Sequence, residues 1–174
     1  GASTVSGNYA IGPSSGGGGI AAIGHFSIYA STISMNQSDD GGGGLKLGGE
    51  NSKLIVNTTI SENISGLNSA NVDGGGGILL LEDVFSHVIL VSSTVTGNST
   101  LQAGGGIRTT SYNNLLILQN SIVAGNTAGQ HHDISAFQLA GAESSLIGNN
   151  SGLNLNPTPD RTPDSNGNLI GTSS

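Results

Sequence analysis

Aliphatic and polar residues alternate along this chain in short bursts, and the bursts recur. The phrase Ser/Thr-x-Ile/Val-x-x-Asn appears five times, as Ser3 to Asn8, Ser31 to Asn36, Thr58 to Asn63, Ser93 to Asn98 and Ser121 to Asn126. The closing asparagines lie 28, 27, 35 and 28 residues apart. A glycine run leading into an aliphatic residue follows the first four phrases: Gly16 to Gly19 with Ile20, Gly41 to Gly44 with Leu45, Gly74 to Gly77 with Ile78, and Gly104 to Gly106 with Ile107. An aliphatic stretch then precedes the next Ser or Thr: Phe26-Ser27-Ile28, Leu54-Ile55-Val56, Val88 to Val91 and Leu115 to Leu118. None of these bursts has the i, i+3, i+4, i+7 spacing of an amphipathic helix, and each glycine disfavours helix by about 1 kcal/mol. Every unit therefore predicts three short strands.

Three strands of about five residues, with their turns, make one coil of a parallel β-helix whose strands pair with their equivalents about 4.8 Å above and below. The fold class expected is all-β, a single right-handed parallel β-helix (β-solenoid) of about six coils of roughly 27–35 residues, the hand following the rule for parallel crossovers. Alternation turns the centre of each phrase inward. Three interior columns result: Val5, Ile33, Ile60, Val95 and Val123; Ile20, Leu45, Ile78 and Ile107; Ile28, Ile55, Leu90 and Leu118. Asparagine suits a corner because its side chain bonds nearby backbone and tolerates turn geometry. Stacked at one corner, Asn8, Asn36, Asn63, Asn98 and Asn126 should bond to one another as a ladder. The glycine runs fit a corner of positive φ or close approach. Length varies at Ile64 to Asp73 and Glu82 to Ser86, which predicts surface loops there.

The fifth unit lacks a glycine run and reads Gln130-His131-His132-Asp133-Ile134, followed by Ser145-Leu146-Ile147-Gly148-Asn149-Asn150. Residues 1–150 are thus expected to form the coils, and 151–174 a degenerate terminal coil or a capping or linker segment, with Leu169-Ile170-Gly171 echoing Leu146-Ile147-Gly148. The first residues already sit inside a repeat, as in a piece of a longer chain.

Composition changes the picture by exclusion. The chain has 174 residues, 30 of them Gly and none Cys, so disulfide frameworks and Cys-based zinc or redox sites are out. Four cations, Lys46, Lys53, Arg108 and Arg161, stand far apart against 11 acids, giving a net charge of −7, and no basic patch exists for nucleic acid. No apolar run nears the ~18 residues of a membrane helix, and neither a basic n-region nor an apolar h-region opens the chain. Membrane insertion of this segment is not expected.

The phrase Ser93 to Asn98, the GGGI runs and Asn120 to Ala128 resemble the bacterial surface repeats of the polymorphic outer-membrane-protein and right-handed β-helix type, over about residues 1–150. Asp133-Ile134 and Leu146-Ile147-Gly148 are similar to the closing coils of such proteins. The resemblance implies an extracellular or cell-surface β-helical stalk or passenger and brings no catalytic residues with it. No membrane-anchoring barrel or sorting segment accompanies the repeats.

Candidate chemistry is sparse. Gly41-Gly42-Gly43-Gly44-Leu45-Lys46 lacks the Gly-Lys-Ser/Thr of a phosphate loop, and no Asp follows the glycines at the spacing of a calcium nonapeptide repeat. Asp39, Asp40 and Asp73 precede glycine runs and are the candidates for weak Ca²⁺ binding, the one cofactor considered. Glu82 and Asp83 add carboxylates to a variable loop. His131-His132-Asp133 has metal-ligand residue types, but neighbours on a strand face opposite ways. His25 and His87 stand alone. The outward positions of the phrase, Thr4, Thr32, Thr59, Thr94 with Ser6, Ser34, Ser61, Thr96, form hydroxyl columns with no carboxylate. Asn36, Asn57, Asn63 and Asn98 begin Asn-x-Ser/Thr sequons, which also follow from the Asn turn.

The expectation is a non-catalytic, structural or adhesin-like segment of a larger secreted or bacterial cell-surface protein. Its partners are further coils or copies of itself, stacking into fibres, or surface glycans. The alternatives are a polysaccharide-binding or polysaccharide-degrading β-helix and, more remotely, ice binding through the Thr/Ser columns.

Overall fold

The computed structural model describes residues 2–67, 73–81, 86–158 and 162–173. Every ladder within them is parallel, and the strands fall into four stacks, so the chain is an all-β parallel solenoid. Sheet 1 carries the recurring phrase: Thr4–Ser6, Thr32–Ser34, Thr59–Ser61, Thr94–Thr96, Ile122–Val123, Leu146–Ile147 and Leu169–Ile170. Sheet 2 follows the asparagine with Tyr9–Ala10, Gln37–Ser38, Ile64–Ser65 and Ser99–Thr100. Sheet 3 follows the glycines with Ile20–Ile23, Leu45–Gly48, Ile78–Leu80, Ile107–Thr109 and Ile134–Ser135. Sheet 4 is Phe26–Tyr29, Asn51–Val56, Ser86–Val91, Leu115–Gln119 and Leu139–Glu143.

The coil therefore has four strands where the aliphatic pattern predicts three. Sheet 2 is two residues deep and mostly polar, so it leaves no apolar burst in the sequence. It forms because each asparagine corner delivers the chain in register with the neighbouring coil: Gln37 N donates to Asn8 O at 2.8 Å, Ile64 N to Asn36 O at 2.9 Å and Ser99 N to Asn63 O at 2.8 Å. Ile64 and Ser65, expected in a surface loop, belong to this sheet. Residues 68–72 and 82–85, with Glu82 and Asp83, lie outside the described residues.

The interior columns stand as the alternation requires. Val5, Ile33, Ile60, Val95, Val123, Ile147 and Ile170 are register partners in turn. Ile20, Leu45, Ile78, Ile107 and Ile134 form the second column. Ile28, Ile55, Leu90 and Leu118 form the third, which ends on Ala142. All are buried except Val5, Ile20, Ile28 and Ala142 at the ends of the columns, which are partly exposed. Each Ile or Leu side chain withdrawn from water in this way stabilises the fold by about 1.5–3 kcal/mol. Two more columns complete the core: Ala22 with Leu47 and Leu80, and Phe26 with Lys53, Val88 and Leu116.

Lys53 is the exception in this interior. Its side chain is completely buried, and Nζ donates to the carbonyls of Gly49, of Asn51 at 3.0 Å and to Ser86 Oγ at 2.6 Å. The aliphatic stem fills the core column while the ammonium gathers the carbonyls of the tight turn between sheets 3 and 4.

The two ends of the stack differ. At the first coil, the strands of all four sheets pair on one side only, and Ile23 is 88% exposed. Over the last coil lies the segment from Asn150 to Thr158. Leu153 and Leu155 pack against the core cluster, Asn150 Nδ2 holds Leu155 O at 2.9 Å, and Thr158 N donates to Ile170 O at 2.8 Å.

Opposite faces of one strand should respond oppositely to charge. Ile60→Asp places a carboxylate between Ile33 and Val95 and is expected to abolish folding, since its cost rivals the ~5–15 kcal/mol that holds a typical domain. Thr59→Asp, exposed one residue earlier, should shift the melting temperature by no more than a few degrees. Equal melting curves by circular dichroism would reverse the assignment of faces.

Candidate functional site

Two hydrogen-bonded corners run the length of the solenoid. At the first, each asparagine side chain inside the stack bridges three coils. Asn63 Nδ2 donates upward to Asn98 Oδ1 at 2.9 Å and downward to Ile33 O at 3.0 Å, while Asn63 N donates to the same Asn98 Oδ1 at 3.0 Å. The pattern repeats from Asn8 to Asn36, Asn36 to Asn63 and Asn98 to Asn126. Asn36, Asn63 and Asn98 are wholly buried. The stack ends on Asp133, also buried, which accepts from Asn126 N at 2.9 Å, Asn126 Nδ2 at 2.8 Å and Asn149 N at 2.7 Å.

The glycine runs complete this corner. A Cβ on Gly44 would fall 3.0 Å from Asn63 Nδ2 and 2.7 Å from Gly77 O. One on Gly43 would fall 2.5 Å from the carbonyl oxygens of both Ile64 and Gly76. The run is a slab of bare backbone laid over sheet 2 and the asparagine amides, where any side chain collides. It is a device of packing, not a phosphate cradle.

The second corner, between sheets 4 and 1, is absent from the sequence expectations. Thr58 N donates to Ser93 Oγ at 3.2 Å, Ser93 N to Ser121 Oγ at 3.2 Å, Ser121 N to Ser145 Oγ at 3.1 Å and Ser145 N to Asn168 Oδ1 at 3.0 Å. Each hydroxyl donates in turn to the carbonyl two residues back, as Ser93 Oγ does to Val91 O at 2.9 Å. The signal was the invariable Ser or Thr that opens the phrase. The residue before it is left-handed in five successive coils: Ala30, Asn57, Ser92, Asn120 and Ser144 have φ of 48–49°.

The candidate acids are dispersed in their bonding. Asp39 is buried, accepting from the Tyr9 hydroxyl and from Gly12 N at 2.8 Å. Asp40 pairs with Lys46 Nζ at 2.7 Å, so a Ca²⁺ ion at this carboxylate would have to displace the ammonium. Asp73 stands one coil further on. Among the described residues no three His, Cys, Asp or Glu side chains are grouped to hold a metal. Asp164, at the surface, is held below the ordinary aspartate range by the backbone N–H of Asn168. His131 and His132 sit in a bend before Ile134–Ser135 and not on a strand; His132 Nδ1 accepts from Ala128 N at 3.0 Å. Of the sequon asparagines, Asn36, Asn63 and Asn98 have amides spent inside the stack, and Asn57 is exposed.

The hydroxyls of sheet 1 are in register: Thr4, Thr32, Thr59 and Thr94 in one row, Ser6, Ser34, Ser61 and Thr96 in the other. The rows give way to Ile122, Leu146 and Leu169 in later coils. No helix of the described residues is long and apolar enough to cross a membrane. No protein-family model, curated protein or solved structure matches the chain. Function has to be argued from geometry.

The asparagine corner carries a removable strain. The residue before each asparagine has positive φ, and it is Gly7, Gly97 and Gly125 in three coils but Met35 (φ 55°) and Glu62 (φ 56°) in the other two. A left-handed non-glycine residue costs about 1–2 kcal/mol, against about 0.4–1 kcal/mol for the extra freedom glycine brings to the unfolded chain. Glu62→Gly should therefore raise the melting temperature by roughly 2–4 °C in calorimetry. A lower melting temperature would show that the exposed Glu62 side chain contributes more than its backbone costs.

Proposed function

We propose that this chain is a rigid, non-catalytic element of a larger secreted or bacterial cell-surface protein, an adhesin-like segment that spaces or presents other parts. The observation that carries the reading is that two hydrogen-bonded corners and five core columns run through successive coils without a break. Every coil is tied to the next by side chains as well as by strand pairing, so bending requires buried polar groups to lose partners, at about 1–3 kcal/mol each. The phrases that resemble bacterial surface repeats support the location, and the carboxylate-free hydroxyl rows support a structural role over polysaccharide cleavage, which needs paired acids.

Self-association follows from the unlike ends. Strands pairing on one side only recruit more strand, and the first coil offers such edges from all four sheets. The segment from Asn150 to Thr158 covers the other end. Open-ended growth needs both ends, so these 174 residues should associate through the first coil and stop at small species. Leu153→Asp with Leu155→Asp, which lifts the covering segment while keeping the Leu169–Ile170 strand, uncovers the last coil and should convert the protein to fibres or heavier aggregates in light scattering. Fibres from the unsubstituted chain would overturn the assignment of the ends. Incubation with neutral and acidic polysaccharides is expected to release neither reducing ends nor unsaturated products; steady release of either would replace the structural reading with the enzymatic one.

A further inference from the structure

On the outer side of sheet 3, one column reads Ala21, Lys46, Leu79, Arg108 and Ser135. Lys46 is matched by Asp40. The residue five positions before the registered Leu45, Ile78 and Ile107 is Asp40, Asp73 and Gln102 in turn. The fourth coil thus keeps the cation and replaces its acid with a neutral amide. Arg108, half-buried, makes no ion pair and no hydrogen bond to any described residue, and its Nη1 lies over Gly74 in the coil below. Its five N–H donors have no acceptor among the described residues and are open to a ligand from solvent.

A cleft of about 190 Å³ is lined by Arg108 together with Thr109, His131, Ser135, Phe137 and Gly152. His131 has φ of 52°, and its Nδ1 is buried without a partner beside the same cleft. Along its rim, Phe137 stacks on Tyr112 with ring centroids 4.3 Å apart. Both rings face water, Tyr112 at 75% and Phe137 at 52% exposure, in a chain with only 3% aromatic residues. The two rings, inclined to each other by 39°, make a shallow, angled apolar platform with a polar tip at the tyrosine hydroxyl. Beside it stands a planar fork suited to bidentate carboxylate recognition.

We infer that this cleft binds an acidic carbohydrate, a uronate unit whose carboxylate pairs with Arg108 while the C–H face of its ring lies on Tyr112 and Phe137. The volume holds about one sugar ring rather than a nucleotide or an organic cofactor, which usually occupy roughly 300–1,000 Å³. A pyranose face fits the platform better than an extended acidic peptide, which would present a carboxylate but no rigid apolar plane. The site is independent of the structural role, and its failure would leave that role standing.

Titration calorimetry with the whole 174-residue chain decides it, using tri-galacturonate as probe, neutral tri-galactose and a tri-glutamate peptide as comparators, and acetate as competitor. Tri-galacturonate should bind at least tenfold more tightly than either comparator, and acetate at equal concentration should not displace it. Arg108→Gln should weaken binding at least tenfold and Tyr112→Ala several-fold, with melting temperatures little changed because Tyr112 is exposed and the half-buried Arg108 side chain makes no bond that glutamine would lose. No heat with tri-galacturonate at millimolar concentration, equal binding of tri-glutamate, displacement by acetate, or unaltered binding by Arg108→Gln would each overturn the proposal.

Discussion

A buried amide must find partners for every donor and acceptor it carries, and this solenoid is arranged around that requirement. Asn63 has two side-chain protons and one side-chain oxygen inside the protein, and all are used: one proton to the coil above, one to the coil below, the oxygen by Asn36 N and Nδ2. Satisfying it needs identical corners at a constant rise, so the asparagine fixes the register of sheets 1 and 2 together. It also dictates what lies opposite. The amides leave no room for a Cβ on the strand that crosses them, as at Gly44, which makes the asparagine phrase and the glycine run two halves of one contact.

The four faces then diverge in character although the backbone repeats. Sheet 1 turns hydroxyls outward for four coils. Sheet 4 turns Leu54, Ile89 and Ile117 outward in one row, with Val56 and Val91 beside them, all only partly exposed. Continuous aliphatic runs such as Val88 to Val91 are the pattern of strands shielded on both faces. Sheet 3 carries the charge, as Lys46 and Arg108 in one column. A repeat that fixes the interior thus leaves each outer face free to take its own chemistry.

Much of the fold was legible because the core signal and the corner signal coincide. Ile33, Ile60 and Val95 each sit three residues before a buried asparagine, so the period-2 alternation and the coil length could be read from one phrase. Sheet 2 was not legible: Gln37-Ser38 and Ser99-Thr100 are polar pairs, held by backbone register and not by burial of apolar surface. Lys53 was hidden by its charge, though counting back two from the inward Ile55 places it in the core. The arginine cleft was harder still. Arg108 is more than twenty residues from His131 and Phe137 and belongs to the preceding coil, so only the stacking of one coil on the next brings them together.

The asparagine stack also has a direction. Each amide-to-amide bond runs toward the higher-numbered coil, so the series must end there on a group that accepts from the last asparagine. A carboxylate meets the condition: Asp133 takes two N–H groups of Asn126 on one oxygen and the Asn149 N–H on the other. An asparagine there would turn an NH₂ toward the Asn149 N–H and leave two donors facing each other. Charge-assisted bonds of this kind run roughly twice as strong as neutral ones, which offsets the cost of burying the acid. The fifth unit departs from the repeat for this reason. Where its glycine run should stand, Gln130-His131-His132 brings Asp133 above Asn126, closing the stack seven residues along the chain and not a full coil later.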